Sequence, residues 1–181
     1  MKSLIKVKKI IGLFFILTLN YSFSQNQTFK FTQNGLTQNI IVELNNFKAN
    51  EIYNKSINWI KDKYHKPNDV IDATIENESV KFSSVENVFR IYNAFGEYKD
   101  YPLEYTIKVS FKDNKYKFEV LYMNVIHESI DFSEIQNVIY KKNGTLIKWY
   151  RDTPEMLENF FNELNKSLKN HILGNNLDND W

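Results

Sequence analysis

From Tyr105 to Tyr122 apolar and polar residues alternate around Asp113-Asn114, and this alternation restricts the fold more than any other stretch of the chain. With Asp113-Asn114 as a two-residue turn, Phe111 faces Tyr116, Val109 faces Phe118, Ile107 faces Val120 and Tyr105 faces Tyr122 on one side. The opposite side pairs Lys112 with Lys115, Ser110 with Lys117 and Lys108 with Glu119. Side chains of a strand point alternately to its two faces, so a slip of one residue would turn the aromatic set out to water. Asp and Asn supply the positive φ that tight hairpin turns require. The product is an antiparallel hairpin with one wet and one apolar face, and the apolar face needs a covering layer.

Other segments supply the rest of the sheet and that layer. With Asn77-Glu78 as a turn, Ile75 faces Val80, Ala73 faces Phe82 and Ile71 faces Ser84, with Thr74 and Lys81 on the polar side. The β-branched run Asn39–Leu44 reads as a further strand, with little on it to protect an edge. Tyr53, Ile57, Ile60 and Tyr64 lie on one helix face with Trp59 beside them, Asn50 as cap and Pro67 as stop. A second helix spans Thr153–Ile172: Thr153 caps it, Pro154 opens it, Leu157, Phe160, Phe161, Leu164 and Leu168 form its stripe, and Gly174 ends it. Asn143-Gly144, between two β-branched and aromatic runs, predicts an additional hairpin at 138–149.

The order of elements makes one α+β domain over residues 38–173, an antiparallel sheet with two helices on one face in the order β-α-β4-α. Polar residues 25–37 read as an N-terminal tether and 174–181 as a flexible tail. The first 24 residues read as a signal peptide. Lys2, Lys6, Lys8 and Lys9 precede the apolar run Ile10–Leu19, and small residues at Ser22 and Ser24 place cleavage after Ser24. That run falls short of the roughly 20 residues needed to span a bilayer, so no membrane span is expected after removal of the signal. The expected location is outside the cytoplasm, in the periplasm, on the cell surface or secreted.

Composition narrows the chemistry. There is no Cys, which removes disulfides, thiolate metal sites and thiol nucleophiles. Cleavage takes four of the 23 basic residues and none of the 22 acidic ones, leaving a net charge of −3, a poor basis for binding nucleic acid. The three His residues have no metal-ligand spacing, and no nucleophile elbow, phosphate loop or cofactor motif is present. The nearest approach to a reactive cluster is His127, Glu128, Asp131 and Glu134, which offers a hydrolase-type or metal-dependent alternative if the loop folds back on itself.

A resemblance strengthens the fold. The segment Glu51–Ile60, the following Asp69-Val70-Ile71 and the Ile107–Tyr116 hairpin are similar to a family of exported bacterial domains of unknown function with a TBP-like fold. It covers roughly residues 38–123 and, more loosely, the last helix, while residues 124–150 fit it least. The resemblance implies the β-α-β4-α arrangement and export, and brings no catalytic residues.

The function expected on these grounds is non-enzymatic binding of a small apolar ligand or an envelope protein, without a cofactor. Tyr105 and Tyr122 are candidate pocket residues between sheet and helix, and Trp149 and Tyr150 a candidate contact pair. Self-association through the Asn39–Leu44 edge is a third possibility. The lysine row Lys108, Lys112, Lys115 and Lys117 reads as a solvated face interrupted by Glu104 and Glu119.

Overall fold

A computed structural model describes residues 27–175 apart from Ala94, so the segment expected to be a signal peptide and residues 176–181 of the expected tail lie outside the described residues. Strands β1 (Phe31–Thr32) and β2 (Gly35–Leu36) form a small hairpin. Five further strands, β3 (Asn39–Glu43), β4 (Ile71–Ile75), β5 (Ser79–Tyr92), β6 (Tyr98–Lys112) and β7 (Lys115–Val125), make one antiparallel sheet ordered β3-β7-β6-β5-β4. Helix α1 (Ala49–Lys63) follows β3, and the short helices α2 (Pro67–Val70) and α3 (Ile135–Ile139) serve as connections. A 3-10 turn at Lys148–Tyr150 leads into helix α4 (Thr153–Leu173). Leaving out the connections, the order from β3 is β-α-β4-α, as the alternation and helix periods predict. No helix among the described residues is long and apolar enough to cross a membrane.

The core lies between the sheet and the two long helices. Ile52, Trp59 and Ile60 of α1 and Leu157, Phe161, Leu164 and Leu168 of α4 are buried on it, facing Val80, Phe82, Ile107, Val109 and Phe118. Trp59 anchors the two helices to each other, donating its indole N–H to Ser167 Oγ (3.0 Å). Lys48, not Asn50, takes the α1 cap position, without a side-chain cap; Asn50 lies inside the first turn and accepts the Glu51 N–H (2.9 Å). Asp113, in the β6–β7 turn, accepts the Ala49 N–H at 3.0 Å and pairs with Lys48 at 2.9 Å. The hydrogen bond from Lys48, then the Ala49 N–H and last the Lys48 charge, hold the Asp113 carboxyl below the usual carboxylate range. At α4 Asp152 takes the cap position, and Thr153 is buried in the first turn.

The tether is corrected first. Phe29 and Phe31 are buried, Phe29 lying 5.9 Å from the Phe118 ring and 6.0 Å from the Phe161 ring. The Asn162 carboxamide accepts the Phe29 N–H (2.8 Å) and donates to its carbonyl (3.1 Å). A side-chain amide here replaces a strand partner, so a mostly polar segment can dock two aromatic side chains.

Register accounts for two more corrections. The first hairpin turns through three residues, with Asn77 at φ 61°, so Ile75 opposes Ser79 and Thr74 opposes Val80. An irregularity at Asp72 then brings Ile71 opposite Phe82, leaving Ala73 and Ile75 on the solvent side. In the second hairpin the pairs from Phe111–Tyr116 to Ile107–Val120 match the expectation. Beyond them Leu121 is an extra residue. Thr106 therefore opposes Tyr122 and Tyr105 opposes Met123, and Tyr105 and Tyr122 end on opposite faces.

The hairpin predicted at 138–149 is reduced to its turn. The Gly144 N–H reaches the Lys141 carbonyl (2.8 Å) and a single bridge joins Tyr140 to Leu146. Its first arm is helical because Ile135 and Ile139, four residues apart, both enter the core, and its second arm winds into the 3-10 turn.

Candidate functional site

Helices cover one face of the sheet; on the other face no layer lies among the described residues. The rows of that open face follow from the register. Ile75, Ser79, Ser110, Lys117 and Ile41 form one row, and Ala73, Lys81, Lys108, Glu119 and Asn39 the next. A third carries Ser83, Thr106 and Tyr122, and a fourth Val85, Glu104 and Asn124. Five large apolar side chains are at least two-fifths exposed here: Ile75 at 56%, Leu121 at 52%, Val85 at 51%, Tyr122 at 44% and Ile41 at 43%. Ile75 and Leu121 border a shallow apolar trough of about 260 Å3, with Ala73, Thr74 and the stems of Lys81 and Lys108.

The polar groups of this face are largely spent on one another. Ser83 Oγ donates to Asp72 (2.7 Å) and lies 2.8 Å from Thr106 Oγ1. Lys117 pairs with Glu119 (2.8 Å), Lys115 approaches Glu43 (3.9 Å), and Lys108 stands between Lys81 and Glu119 on the neighbouring strands. Tyr122 donates its hydroxyl to Glu104 at 3.4 Å. Partial burial, and then the Glu104 charge, push its phenol above the ordinary value.

The predicted site residues are scattered. Tyr105 is fully buried, its hydroxyl 3.0 Å from that of Tyr64 and its ring 5.3 Å from Phe160 and 6.0 Å from Phe161. Burial raises the pKa of both phenols. Trp149 is 40% exposed under the Lys148 ammonium, whereas its neighbour Tyr150 is buried against Phe132, so they do not form one exposed pair. The His127 ring stacks on Tyr101 at 4.7 Å, and its Nδ1 accepts the Ser129 N–H. Asp131 accepts the Ser133 N–H, which holds its carboxyl below the ordinary value, and Glu134 accepts from Asn137. Each group serves its own loop. Among the described residues no three His, Asp or Glu converge on a point that could hold a metal ion.

The sequence reading ends one strand at Ser84 and starts the next at Tyr105, whereas β5 and β6 run on as an arm from Val85 to Glu104. Val88-Phe89-Arg90-Ile91-Tyr92, followed by Asn93 and Gly96, carries the signal for it. Arg90 and Asp100 pair across this arm at 2.6 Å, and Arg151 lies over Tyr92 at 3.8 Å from its ring centre.

With this geometry in hand, residues 39–125 match the model of the DUF4468 family, a domain of unknown function with a TBP-like fold. The match spans β3 to β7, the whole of the five-stranded sheet with helix α1. A DUF4468 family protein from Bacteroides ovatus superposes with a TM-score of 0.60 at 12% identity, covering 74% of this chain and 84% of that one. A TBP-like protein from Parabacteroides distasonis gives 0.53 at 19% identity, covering 75% and 90%. At these identities the two structures establish the fold alone. No curated protein matches the chain.

Proposed function

We propose that this chain is an exported, non-enzymatic binding module whose open sheet face receives an envelope protein. One observation carries the reading: Ile41, Ile75, Val85, Leu121 and Tyr122 are exposed together on a face that no layer of the described chain covers. Exposed apolar groups rimmed by paired charges have the composition of a protein-contact surface. Two of its lysines are already neutralised, Lys117 by Glu119 and Lys115 by Glu43. The packed aromatic layer favours a macromolecular partner over a small apolar ligand: the Tyr105 hydroxyl that would orient such a ligand is engaged by Tyr64.

Photo-crosslinking in the source cells tests this. A photoreactive residue replacing Leu121 is expected to give one discrete protein adduct that the same residue at exposed Lys61 does not give, and that Ile75→Asp abolishes. Equal labelling from both positions would sink the reading. So would a native mass exceeding the bare chain by only a small molecule, unchanged by Ile75→Asp.

A further inference from the structure

We propose that the groove along the outer edge of β7 receives an extended, uncharged peptide segment by strand addition. β3 pairs with β7 only over Lys115–Glu119, and the last backbone contact of that ladder runs from the Val120 N–H to the Gln38 carbonyl at 3.0 Å. Before Gln38 the chain leaves β7. Thr37 donates its N–H to the Lys30 carbonyl (2.8 Å), and its hydroxyl bonds the Lys30 backbone, tying it to the β1–β2 hairpin.

β7 nevertheless continues to Val125, held on its other side by β6 through the pair Leu103–Val125. From Leu121 to Asn124 it has a strand neighbour on one side only among the described residues, a length of about 13 Å at the rise of an extended chain. The gap so formed is a groove of about 320 Å3 between Asn34–Gln38 on one side and Ser133, Ile135 and Gln136 on the other, with Val120–Met123 lining it.

Two observations define the occupant. No lining residue carries a charge, and Asn34, Thr37, Gln38, Ser133 and Gln136 supply amides and hydroxyls, which suits a neutral backbone. Elsewhere the sheet edge is managed: Gln27 covers β3 by accepting the Ile41 N–H (2.8 Å), and β4 is five residues long with an irregularity at Asp72. Strand addition uses such an edge, with main-chain hydrogen bonds for affinity and alternate side chains for selectivity. This site shares Leu121 and Tyr122 with the open face, but it is built on the backbone edge of β7 and does not depend on that face receiving a protein.

The test is a positional-scanning library of end-capped octapeptides, with maltohexaose as a neutral glycan, read by binding to the full chain and by amide hydrogen exchange. The expected result is saturable binding of uncharged, β-branched peptides that slows exchange about tenfold at Leu121–Asn124. Ser133→Arg, a change at an exposed loop position, is expected to weaken binding about tenfold, whereas Ile75→Asp leaves it within about twofold. Gln136→Arg gives the same block from a second position if Ser133→Arg lowers stability. Binding of maltohexaose instead of peptides would overturn the proposal. So would absence of any saturating peptide, protection confined to other segments, or arginine variants that fold and bind as the parent does.

Discussion

The Tyr64 and Tyr105 hydroxyls meet at 3.0 Å inside the core, and the Tyr116 hydroxyl reaches the Asn165 side chain at 2.9 Å. A buried phenol that has spent its hydrogen bond on another phenol is worth little until one partner is removed. Tyr105→Phe leaves the Tyr64 hydroxyl stranded, and a stranded buried hydroxyl costs about 1–3 kcal/mol. The double change with Tyr64→Phe should cost less than the two single changes together, because it removes both polar groups; urea unfolding of the four proteins measures this. The same burial governs the response to alkali. All three phenols are held neutral in the folded chain by pKa values raised above the unfolded value of about 10. The unfolded chain therefore loses their protons first as pH rises, and the stabilisation, complete below about pH 10, is lost above it. Unfolding free energy followed from pH 8 upward should fall less steeply in Tyr105→Phe than in the parent, and parallel curves would remove these phenols from the account.

At the scale of elements, the N-terminal segment is where burial overrules composition. Phe29 is fully buried between Phe118 and Phe161, so Phe29→Ala is expected to cost about 3–5 kcal/mol, the range for emptying an aromatic site in a core. A removable tether would lose nothing, and chemical denaturation of the variant separates the two. The hairpin of β6 and β7 and both long helices were legible because each repeats one period over many residues, and packing agrees with the period at Val109, Phe118, Leu157 and Leu164. The errors fall where one residue changes parity. Asn77 lengthens a turn, Asp72 and Leu121 interrupt ladders, and no local composition announces a bulge. The site suffered most from this. Leu121 borders both grooves, and its exposure exists only because it is the extra residue that sends Tyr122 to the open face. The cap of α1 was illegible for another reason: Asp113 is 64 residues from the N–H it accepts.

For the molecule as a whole, a TBP-like sheet raises the question of DNA, because an uncovered sheet face of this shape is where that fold meets a duplex. The charge pattern argues against it here. A duplex binder neutralises phosphates with Lys and Arg, and each such contact adds about 0.9 to the salt slope of binding. On this face Lys117 is paired with Glu119, Lys108 faces Glu119 across the ladder, and Asp72 and Glu104 stand among the remaining positions. A polyanion would have to break those pairs and would then meet the freed carboxylates. Titration of a labelled duplex at rising salt is accordingly expected to give weak, unsaturated binding with a slope near zero. Saturation with a steep slope would mean that the lysines reach phosphate despite their partners. Adding charge of either sign should not rescue the face as a DNA site, since what it offers in quantity is apolar area at Ile75, Val85 and Leu121. Glu119→Lys, which removes the partner of Lys117 and sets a third cation beside Lys81 and Lys108, is the sharper case. It should raise the salt slope by about one contact or two while leaving binding unsaturated, because a fit to the duplex needs shape as well as charge.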